Sequence, residues 1–319
     1  MLTRSNISAG RLLCLTGHLK PCPTSIRSIT SQSKEISICD GTMHYVDTEK
    51  HPERAVIFLH GNPTSSFLWR RIIPHVQDVA RCLAPDLIGM GRSSKVTGSM
   101  YTFEDHFKYL SKWFDSIDLP EKLNLVVHDW GSGLGFHWAN LHRGRVASIT
   151  HMESLVSPLK SWDEFPEGGR KIFQAMRSPA GEELVLKKNI FVERILPSSI
   201  IRKLDEKEMT SYLDPFKEPG KDRLPTLTWP REIPIESDGP ANVVQFAKSW
   251  KSWLEQSSDL PKLYINAHPG FFSSFIKQIT RDWPNHRVVE VKGHHFLQED
   301  SPDEIGRALR DFLQKDVFN

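Results

Sequence analysis

One short stretch constrains the fold more than any other: an apolar strand that ends in a sharp turn and leads at once into small residues. The strand is residues 123–127, Leu-Asn-Leu-Val-Val, and Asp129 lies on the turn that follows it. Small residues come next, and they allow a helix to begin close against the preceding strand: Gly131, Ser132, Gly133 and Gly135. This order of strand, turn and helix predicts a parallel α/β sheet with a polar side chain at its carboxyl edge.

Asp129 occupies the position where strand–turn–helix motifs of this kind usually carry a nucleophilic serine. A carboxylate there can displace a leaving group from a saturated carbon, which forms an alkyl ester that an activated water must hydrolyse. The usual motif has Gly two residues before the nucleophile, where this chain has Val127. Asp is also a common cap at the start of a helix. The turn alone therefore leaves both catalysis and helix capping open.

Two more residues complete an ordered catalytic set. Glu153 closes the apolar strand at residues 146–152, and His295 follows the strand at residues 287–291 and a Lys-Gly turn. In the α/β-hydrolases, the nucleophile, the acid and the histidine follow in this order along the chain, each on a loop after a different strand. His294 is the alternative base, since adjacent residues on an extended loop point opposite ways. We assign His295 because it directly precedes Phe296.

The loop after a third strand suggests the leaving group. Residues 56–59 form an apolar run that leads through His60 into Gly61-Asn62-Pro63. In a loop of this kind, a backbone N–H commonly joins the N–H of the residue after the nucleophile, here Trp130, in an oxyanion hole. The Asn62 amide and the Trp130 indole add N–H donors that suit a developing halide. Epoxide opening normally uses two tyrosine hydroxyls from the cap, and this chain has only Tyr212 there. Core packing is the alternative role of Trp130.

Longer blocks of sequence carry a family resemblance. They are residues 60–66 (HGNPTSS), 68–70 (LWR), 84–93 (APDLIGMGRS), 128–132 (HDWGS), 161–164 (SWDE), 229–235 (WPREIPI) and 295–300 (HFLQED). From about residue 40 onward the chain resembles the haloalkane dehalogenases and the Renilla-type luciferase of the α/β-hydrolase superfamily. The resemblance implies Asp129 as nucleophile, Glu153 as acid, His295 as base, and Asn62 and Trp130 as halide donors. We also place aromatic residues at the substrate site: Trp162, Phe165, Phe271, Phe272 and Phe296.

Different parts of the sequence resemble enzymes with two different activities. Residues 63–65 and 173–177 look like the dehalogenases, whereas residues 269–272 and 189–193 look like the luciferase. Lys171 occupies a position where the luciferase has an acidic residue, and Gly168 occupies a position where the luciferase has a bulkier aliphatic residue. We therefore predict a haloalkane dehalogenase. The alternatives are a cofactor-independent luciferase that oxidises an imidazopyrazinone such as coelenterazine, and a catalytically silent binding protein, which the intact set of site residues disfavours. No metal or cofactor is expected.

The pattern along the chain predicts an α/β-hydrolase fold with a mostly parallel, doubly wound sheet and an inserted helical cap. Strand-like runs lie near residues 36–38, 43–47, 55–60, 80–84, 123–128, 146–152, 262–266 and 287–291, with helices at 103–117 and 305–312. We expect a core of residues 35–154 and 231–319, and a cap of residues 155–230 whose helices exclude water from the site.

Composition favours a chain that acts on a small molecule. Its 41 basic and 39 acidic residues are interspersed, which gives no electrostatic case for nucleic acid, and no apolar stretch reaches the length of a membrane span. The sequence gives no indication of the oligomeric state.

The cysteines and the N-terminal segment bear on the compartment. The spacing of Cys14, Cys22, Cys39 and Cys82 indicates a reducing compartment without disulfides. Residues 1–34 are basic and rich in Ser, Thr and Leu, typical of a mitochondrial transit peptide or a disordered tail. The protein is expected inside the cell, mitochondrial in the first case and otherwise cytoplasmic.

Overall fold

A single eight-stranded sheet organises the computed structural model, which describes residues 32–318. The strands follow the order β1-β2-β4-β3-β5-β6-β7-β8. The pairs β1–β2 and β2–β4 are antiparallel, and every later neighbour is parallel. The bounds are β1 Gln32–Ile38, β2 Gly41–Asp47, β3 Ala55–Leu59, β4 Arg81–Pro85, β5 Leu123–Asp129, β6 Val146–Ser154, β7 Lys262–Pro269 and β8 His286–Gly293. The predicted mostly parallel sheet is confirmed.

Ten α-helical segments accompany the sheet in residues 32–318. They are α1 Phe103–Ser116, α2 Trp130–Leu141, α3 Glu167–Arg177, α4 Leu196–Ser198, α5 Glu206–Leu213, α6 Leu224–Glu232, α7 Ala241–Gln256, α8 Ser273–Thr280, α9 Leu297–Asp300 and α10 Pro302–Phe312. Short 3₁₀ turns lie at Ser66–Trp69, Ile73–His75, Arg143–Arg145, Trp162–Glu164, Asp214–Phe216 and Lys221–Arg223, and π-helical turns at Glu182–Lys187, Phe191–Ile195 and Leu313–Val317.

The central strands β3 and β5 are buried, and most of their residues are apolar. All five residues of β3 are buried, as are the first six of β5, which is the pattern of parallel strands covered on both faces. At the sheet edge, β8 alternates between exposed and half-buried residues over most of its length. The helix α1 begins at a capping box in which Thr102 and Asp105 each accept a hydrogen bond from the backbone of the other.

The chain between β6 and β7 is helical and contains the segment predicted as a cap. In it, a small apolar cluster separate from the main core packs together Met176, Val185, Ile190, Phe191 and Leu227. The helix α7 then returns to the core and packs on α2. This satellite cluster gives the cap segment its own packing.

The N-terminal segment differs from the sequence prediction at its boundary. The strand β1 begins at Gln32, so the last three residues assigned to the segment 1–34 lie in the sheet instead. The remainder of that segment, with Cys14 and Cys22, lies outside the described residues. Cys39 and Cys82 are free thiols, the first exposed and the second buried. None of the helices between residues 32 and 318 combines the length and apolar character that crossing a bilayer requires.

Candidate active site

The predicted site residues come from loops and strand ends at one edge of the sheet. Asn62 follows β3, Asp129 ends β5, Glu153 lies near the end of β6, Phe271 follows β7 and His295 follows β8. The carboxyl ends of parallel strands meet along one edge, where ligands of open α/β sheets bind. Residues far apart in the chain are therefore neighbours there.

The turn at Asp129 has a backbone conformation that only close packing can maintain. Its φ of 49° and ψ of −130° lie outside the regions that residues with a side chain prefer. A Cβ on Gly131 would lie 2.2 Å from the Leu59 carbonyl oxygen, and one on Gly61 would lie 2.1 Å from Asp129 Oδ1. Glycine at both positions lets the turn approach β3 closely and brings the carboxylate against the loop after it.

Val127, which replaces the usual glycine before the nucleophile, has room because of a glycine in the next helix. The Val127 side chain is buried, and a Cβ on Gly135 would lie only 2.8 Å from its Cγ1 atom. The departure from the common motif is thus compensated locally, and the turn keeps its shape.

The Asp129 carboxylate takes part in the site and does not cap the helix. The residue precedes α2, but its side chain makes no capping hydrogen bond. Oδ1 accepts a hydrogen bond from the Asn62 backbone N–H at 2.7 Å, and Oδ2 lies 3.5 Å from His295 Nε2. Burial by itself raises the pKa of Asp129, but hydrogen bonding and charge attraction from His295 outweigh it, so the pKa is lowered. The group is held as a carboxylate.

Glu153 is a fully buried carboxylate with four hydrogen-bond donors. Oε1 accepts from the Phe271 N–H at 3.1 Å and from Ser273 Oγ at 2.7 Å. Oε2 accepts from the Phe272 N–H at 2.9 Å and lies 3.1 Å from His295 Nδ1. Burial opposes ionisation, but these bonds, led by the one from His295, lower the pKa of Glu153. Sequence reasoning chose Phe271 and Phe272 for their rings and missed the role of their backbone.

His295 is the histidine whose ring lies between the two carboxylates. Burial lowers its pKa, but the bonds to Asp129 and Glu153 outweigh burial and raise the pKa to about 9. The Phe296 ring packs edge-on against the imidazole at 4.7 Å between centroids. His294 also lines the cavity, but of the two histidines only His295 contacts the carboxylates of Asp129 and Glu153, as expected.

Two N–H groups beside Asp129 remain available to a ligand. The Asn62 amide nitrogen has only a long contact of 3.5 Å to the Thr226 carbonyl. The indole N–H of Trp130 has no acceptor among residues 32–318, although the side chain is only 3% exposed. The Trp130 ring stacks on Trp229 with centroids 4.4 Å apart, which fixes its plane. Packing therefore orients Trp130 without using its donor.

These residues line a cavity of about 330 Å³. It brings together Asn62, Asp129, Trp130, His295, Phe271 and Phe296 from the predicted set, and adds Leu155, Gly168, Gly169, Ile172, Phe173, Phe191, Ile195, Ser198, Ser199, Pro230, Ile233, Gly270 and His294. Several of the added residues share one face of α3, at helical spacing from Gly168 to Ile172, a signal that was present in the sequence. Leu155, Pro230 and Ile233 carried no such signal.

Three predicted substrate residues lie outside the cavity lining, which corrects the sequence prediction. The Trp162 indole N–H donates to Asp238 Oδ2 at 2.9 Å, so this ring belongs to the outer face of the cap segment. Phe165 and Phe272 pack edge to face at 5.3 Å, and Phe165 also contacts Phe271. Phe165 thus packs against the lining residue Phe271, and Phe272 lines a small separate cavity beside Asp129 and Glu153.

Lys171 also differs from expectation. It is exposed on α3 and does not line the cavity, whereas Gly168 and Ile172 of the same helix do. The sequence argument that a cation replaces an acidic group beside the substrate is therefore wrong, and Lys171 gives no ground against light emission.

A cluster of charged residues ties the cap segment to the loop that carries His295. Arg70 donates to Glu299 and Glu208, each at 2.6 Å, and Arg202 donates to both of the same carboxylates. The Tyr212 hydroxyl also donates to Glu299, which is fully buried in α9. The only cap tyrosine is thus engaged away from the cavity, and α9 cannot shift without disturbing the cap segment.

Comparisons with known proteins were consistent with this geometry. A family model described as the alpha/beta hydrolase fold matches residues 54–302. The chain is 48% identical to a haloalkane dehalogenase of Sphingobium indicum over 89% of this chain and 96% of that protein. It is 47% identical to the coelenterazine h 2-monooxygenase of Renilla reniformis over 91% of this chain and 93% of that protein.

Solved structures give the same grouping. The structure of a putative ancestral haloalkane dehalogenase superposes with a TM-score of 0.83 at 41% identity, covering 88% of this chain and 98% of that one. A haloalkane dehalogenase from Bradyrhizobium elkani superposes with a TM-score of 0.85 at 37% identity, covering 89% and 98%. Sequence identity alone does not separate the two activities among these relatives.

Proposed function

Because the chain belongs to the α/β-hydrolase family, in the group that includes haloalkane dehalogenases and the Renilla monooxygenase, we propose that it is a haloalkane dehalogenase. One observation carries the proposal. A carboxylate, Asp129, shares an apolar cavity with two N–H donors, on Asn62 and Trp130, that have little or no other use. A carboxylate needs a carbon with a leaving group, and the donors suit an anion that leaves without a proton.

In the first step, Asp129 attacks the carbon that bears the halogen. Oδ1 is held by the Asn62 backbone N–H, so Oδ2 is the oxygen that forms the new C–O bond. The C–halogen bond breaks, and the halide takes the electron pair while it accepts hydrogen bonds from the Asn62 amide and the Trp130 indole. Few water molecules compete for these donors in an apolar cavity, which strengthens their effect on the developing charge.

In the second step, water cleaves the ester. His295 Nε2 takes a proton from the water, whose oxygen adds to the ester carbonyl carbon of Asp129. The Asn62 backbone N–H that holds Oδ1 stabilises the oxyanion that forms there. Glu153 accepts the Nδ1–H and stabilises the imidazolium. When the intermediate collapses, the ester C–O bond breaks, the imidazolium of His295 gives its proton to the leaving alkoxide oxygen, and the alcohol is released. The carboxylic acid left on Asp129 then transfers its proton to His295, which restores the carboxylate.

Esterification itself prepares His295 to act as the base. In the resting site, hydrogen bonds and charge from Asp129 and Glu153 raise the pKa of His295 to about 9, which favours the protonated ring. Alkylation of Asp129 removes one of these two negative charges. The pKa of His295 therefore falls when the ester forms, and the ring loses its extra proton when a base is needed.

Oxidation of coelenterazine is the second candidate, because the Renilla monooxygenase is 47% identical to the chain. The exposed position of Lys171 removes an argument against it. The dehalogenase proposal ranks first because it uses the carboxylate and both donors in one reaction.

A parallel assay of one preparation tests this ranking. The purified protein is given 1-bromobutane in one set of reactions and coelenterazine in another, and released bromide and emitted photons are counted. We expect bromide release that is lost in Asp129→Ala. Strong light without bromide release would reverse the ranking.

We further propose that the chain is divided into a core of residues 35–154 and 231–319 and a cap of residues 155–230.

A further inference from the structure

Three polar side chains line the cavity without a part in the proposed reaction: Ser198, Ser199 and His294. Apart from them and the four reacting or halide-binding residues, the lining consists of apolar residues and glycines. In ligand cavities, a few polar groups set in apolar walls usually fix the orientation of a bound molecule. The three side chains differ in how their polar atoms are used.

His294 presents an imidazole with both nitrogens unused. The residue follows β8 directly, and its backbone N–H donates to Asp300 Oδ2 at 3.1 Å. Its half-buried ring forms no hydrogen bond or ring contact with any residue in the described range 32–318. The main chain is thus fixed, while the ring is left to interact with whatever occupies the cavity.

Ser199 has a free hydroxyl on the cap side of the same wall. Its carbonyl oxygen accepts the Phe296 N–H at 3.2 Å, which places it beside the loop of His294. Its Oγ has no partner among the residues that the structure describes. Ser198 differs, because its Oγ already donates to the Ile195 carbonyl at 3.0 Å and the residue is exposed. This end of the cavity therefore lies toward solvent.

One carboxylate holds the two segments together. Asp300 accepts hydrogen bonds from the backbone N–H groups of Ile201 at 2.9 Å and Arg202 at 3.0 Å, and from that of His294. The turn that carries Ser199 and the loop that carries His294 are joined through this group. Binding at both side chains would therefore need little further ordering of the backbone.

We propose that Ser199 and His294 form a polar subsite that binds a neutral hydrogen-bonding group, a hydroxyl or carbonyl, on the haloalkane at the end remote from the carbon–halogen bond. The inference rests on the proposed function. A neutral group fits because no Lys or Arg is among the lining residues, while the Asp129 carboxylate repels an anion. Serine and histidine can each donate or accept, so both kinds of group are bound.

Matched substrates provide the test. Each ω-bromo-1-alkanol from three to eight carbons is compared with the 1-bromoalkane of the same length, and bromide release is measured. At the chain length that spans the distance from Asp129 to the subsite, we expect kcat/KM for the alcohol to exceed that for the alkane by about tenfold. The difference should appear in KM, because the remote contact is the same before and during reaction.

Two variants then locate the effect. His294→Leu and Ser199→Ala should each bring the alcohol-to-alkane ratio toward one while bromoalkane turnover continues. The matched control is His142→Leu, an exposed histidine just after α2, about 18 Å along that helix from Asp129; it should leave the ratio unchanged. Equal turnover of both series at every length, or a ratio retained in both variants, would overturn the subsite. Absence of bromide release from every bromoalkane would instead overturn the proposed function.

Discussion

Replacing Glu153 by Gln tests how the buried acid acts, because the four donors around it are divided between its two oxygens. Oε1 receives the Phe271 N–H and the Ser273 hydroxyl, and Oε2 receives the Phe272 N–H and His295 Nδ1. A glutamine amide has one acceptor atom and one donor group. Whichever way it is turned, its NH₂ group must face two former donors.

The less costly orientation places the NH₂ group toward Ser273. The serine hydroxyl can rotate and accept a hydrogen bond, so only the Phe271 N–H loses its partner. A buried N–H without a partner costs about 1–3 kcal/mol. At roughly 2 °C per kcal/mol for a chain of this size, the melting temperature should fall by about 2–6 °C. The amide oxygen would still accept the Nδ1–H of His295 and keep its tautomer.

The kinetic effect should be confined to ester hydrolysis. Without the negative charge of Glu153, the imidazolium of His295 is less stable, and the loss of turnover should approach, but stay below, the ~10⁴-fold loss typical when the tautomer is wrong as well. Rapid-quench measurements should still show a burst of one halide per enzyme. Ser273→Ala keeps the charge and is the control. Steady turnover at the parent rate in Glu153→Gln would refute the assigned role of Glu153.

The remaining predictions concern the base, the halide donor and the cap. His295→Phe should release one halide per enzyme and leave an alkyl adduct on the Asp129 peptide in mass spectrometry; continued turnover would contradict this. Trp130→Phe should slow the halide burst by ~10²–10³-fold, and an unchanged burst would place the leaving group elsewhere. Because the pKa of His295 is raised to about 9 in the folded protein, its stabilising contribution is complete below about pH 6.5 and is lost as pH rises through 9. Thermal unfolding from pH 6 to 10 should show this loss in the parent but not in His295→Phe. Lys171→Asp should leave any luminescence unchanged, and a clear rise would show that this side chain reaches the substrate.

Strand positions could be predicted because burial on both faces forces long apolar runs. The strand β3 is such a run, and Asp129 stood out because a charged residue followed a similar one in β5. These signals are local in the sequence. The fold class and the strand-end placement of the candidate site followed from them.

Side-chain direction in the cap segment could not be predicted in the same way. An aromatic residue has the same sequence signature whether it lines the cavity, as Phe173 does, or packs behind the lining, as Phe165 does. Trp162 was misassigned because its partner, Asp238, is distant in sequence. The backbone N–H groups that donate to Glu153 could not be predicted, because backbone groups leave no pattern of residue types in the sequence.

The charged cluster around Glu299 limits how this chain can exchange parts with its relatives. Arg202 and Glu208 lie in the proposed cap segment, whereas Arg70 and Glu299 lie in the proposed core. A recombinant whose inserted segment lacks the Arg202 guanidinium leaves Glu299 buried with part of its compensation missing, and stranding a buried charge in this way costs about 3–5 kcal/mol. Viable chimeras must therefore keep an arginine at position 202 opposite Glu299, although α7, β7 and β8 separate the two residues in the chain. A recombination point between the two halves is therefore expected to succeed only where the incoming segment supplies the same charges.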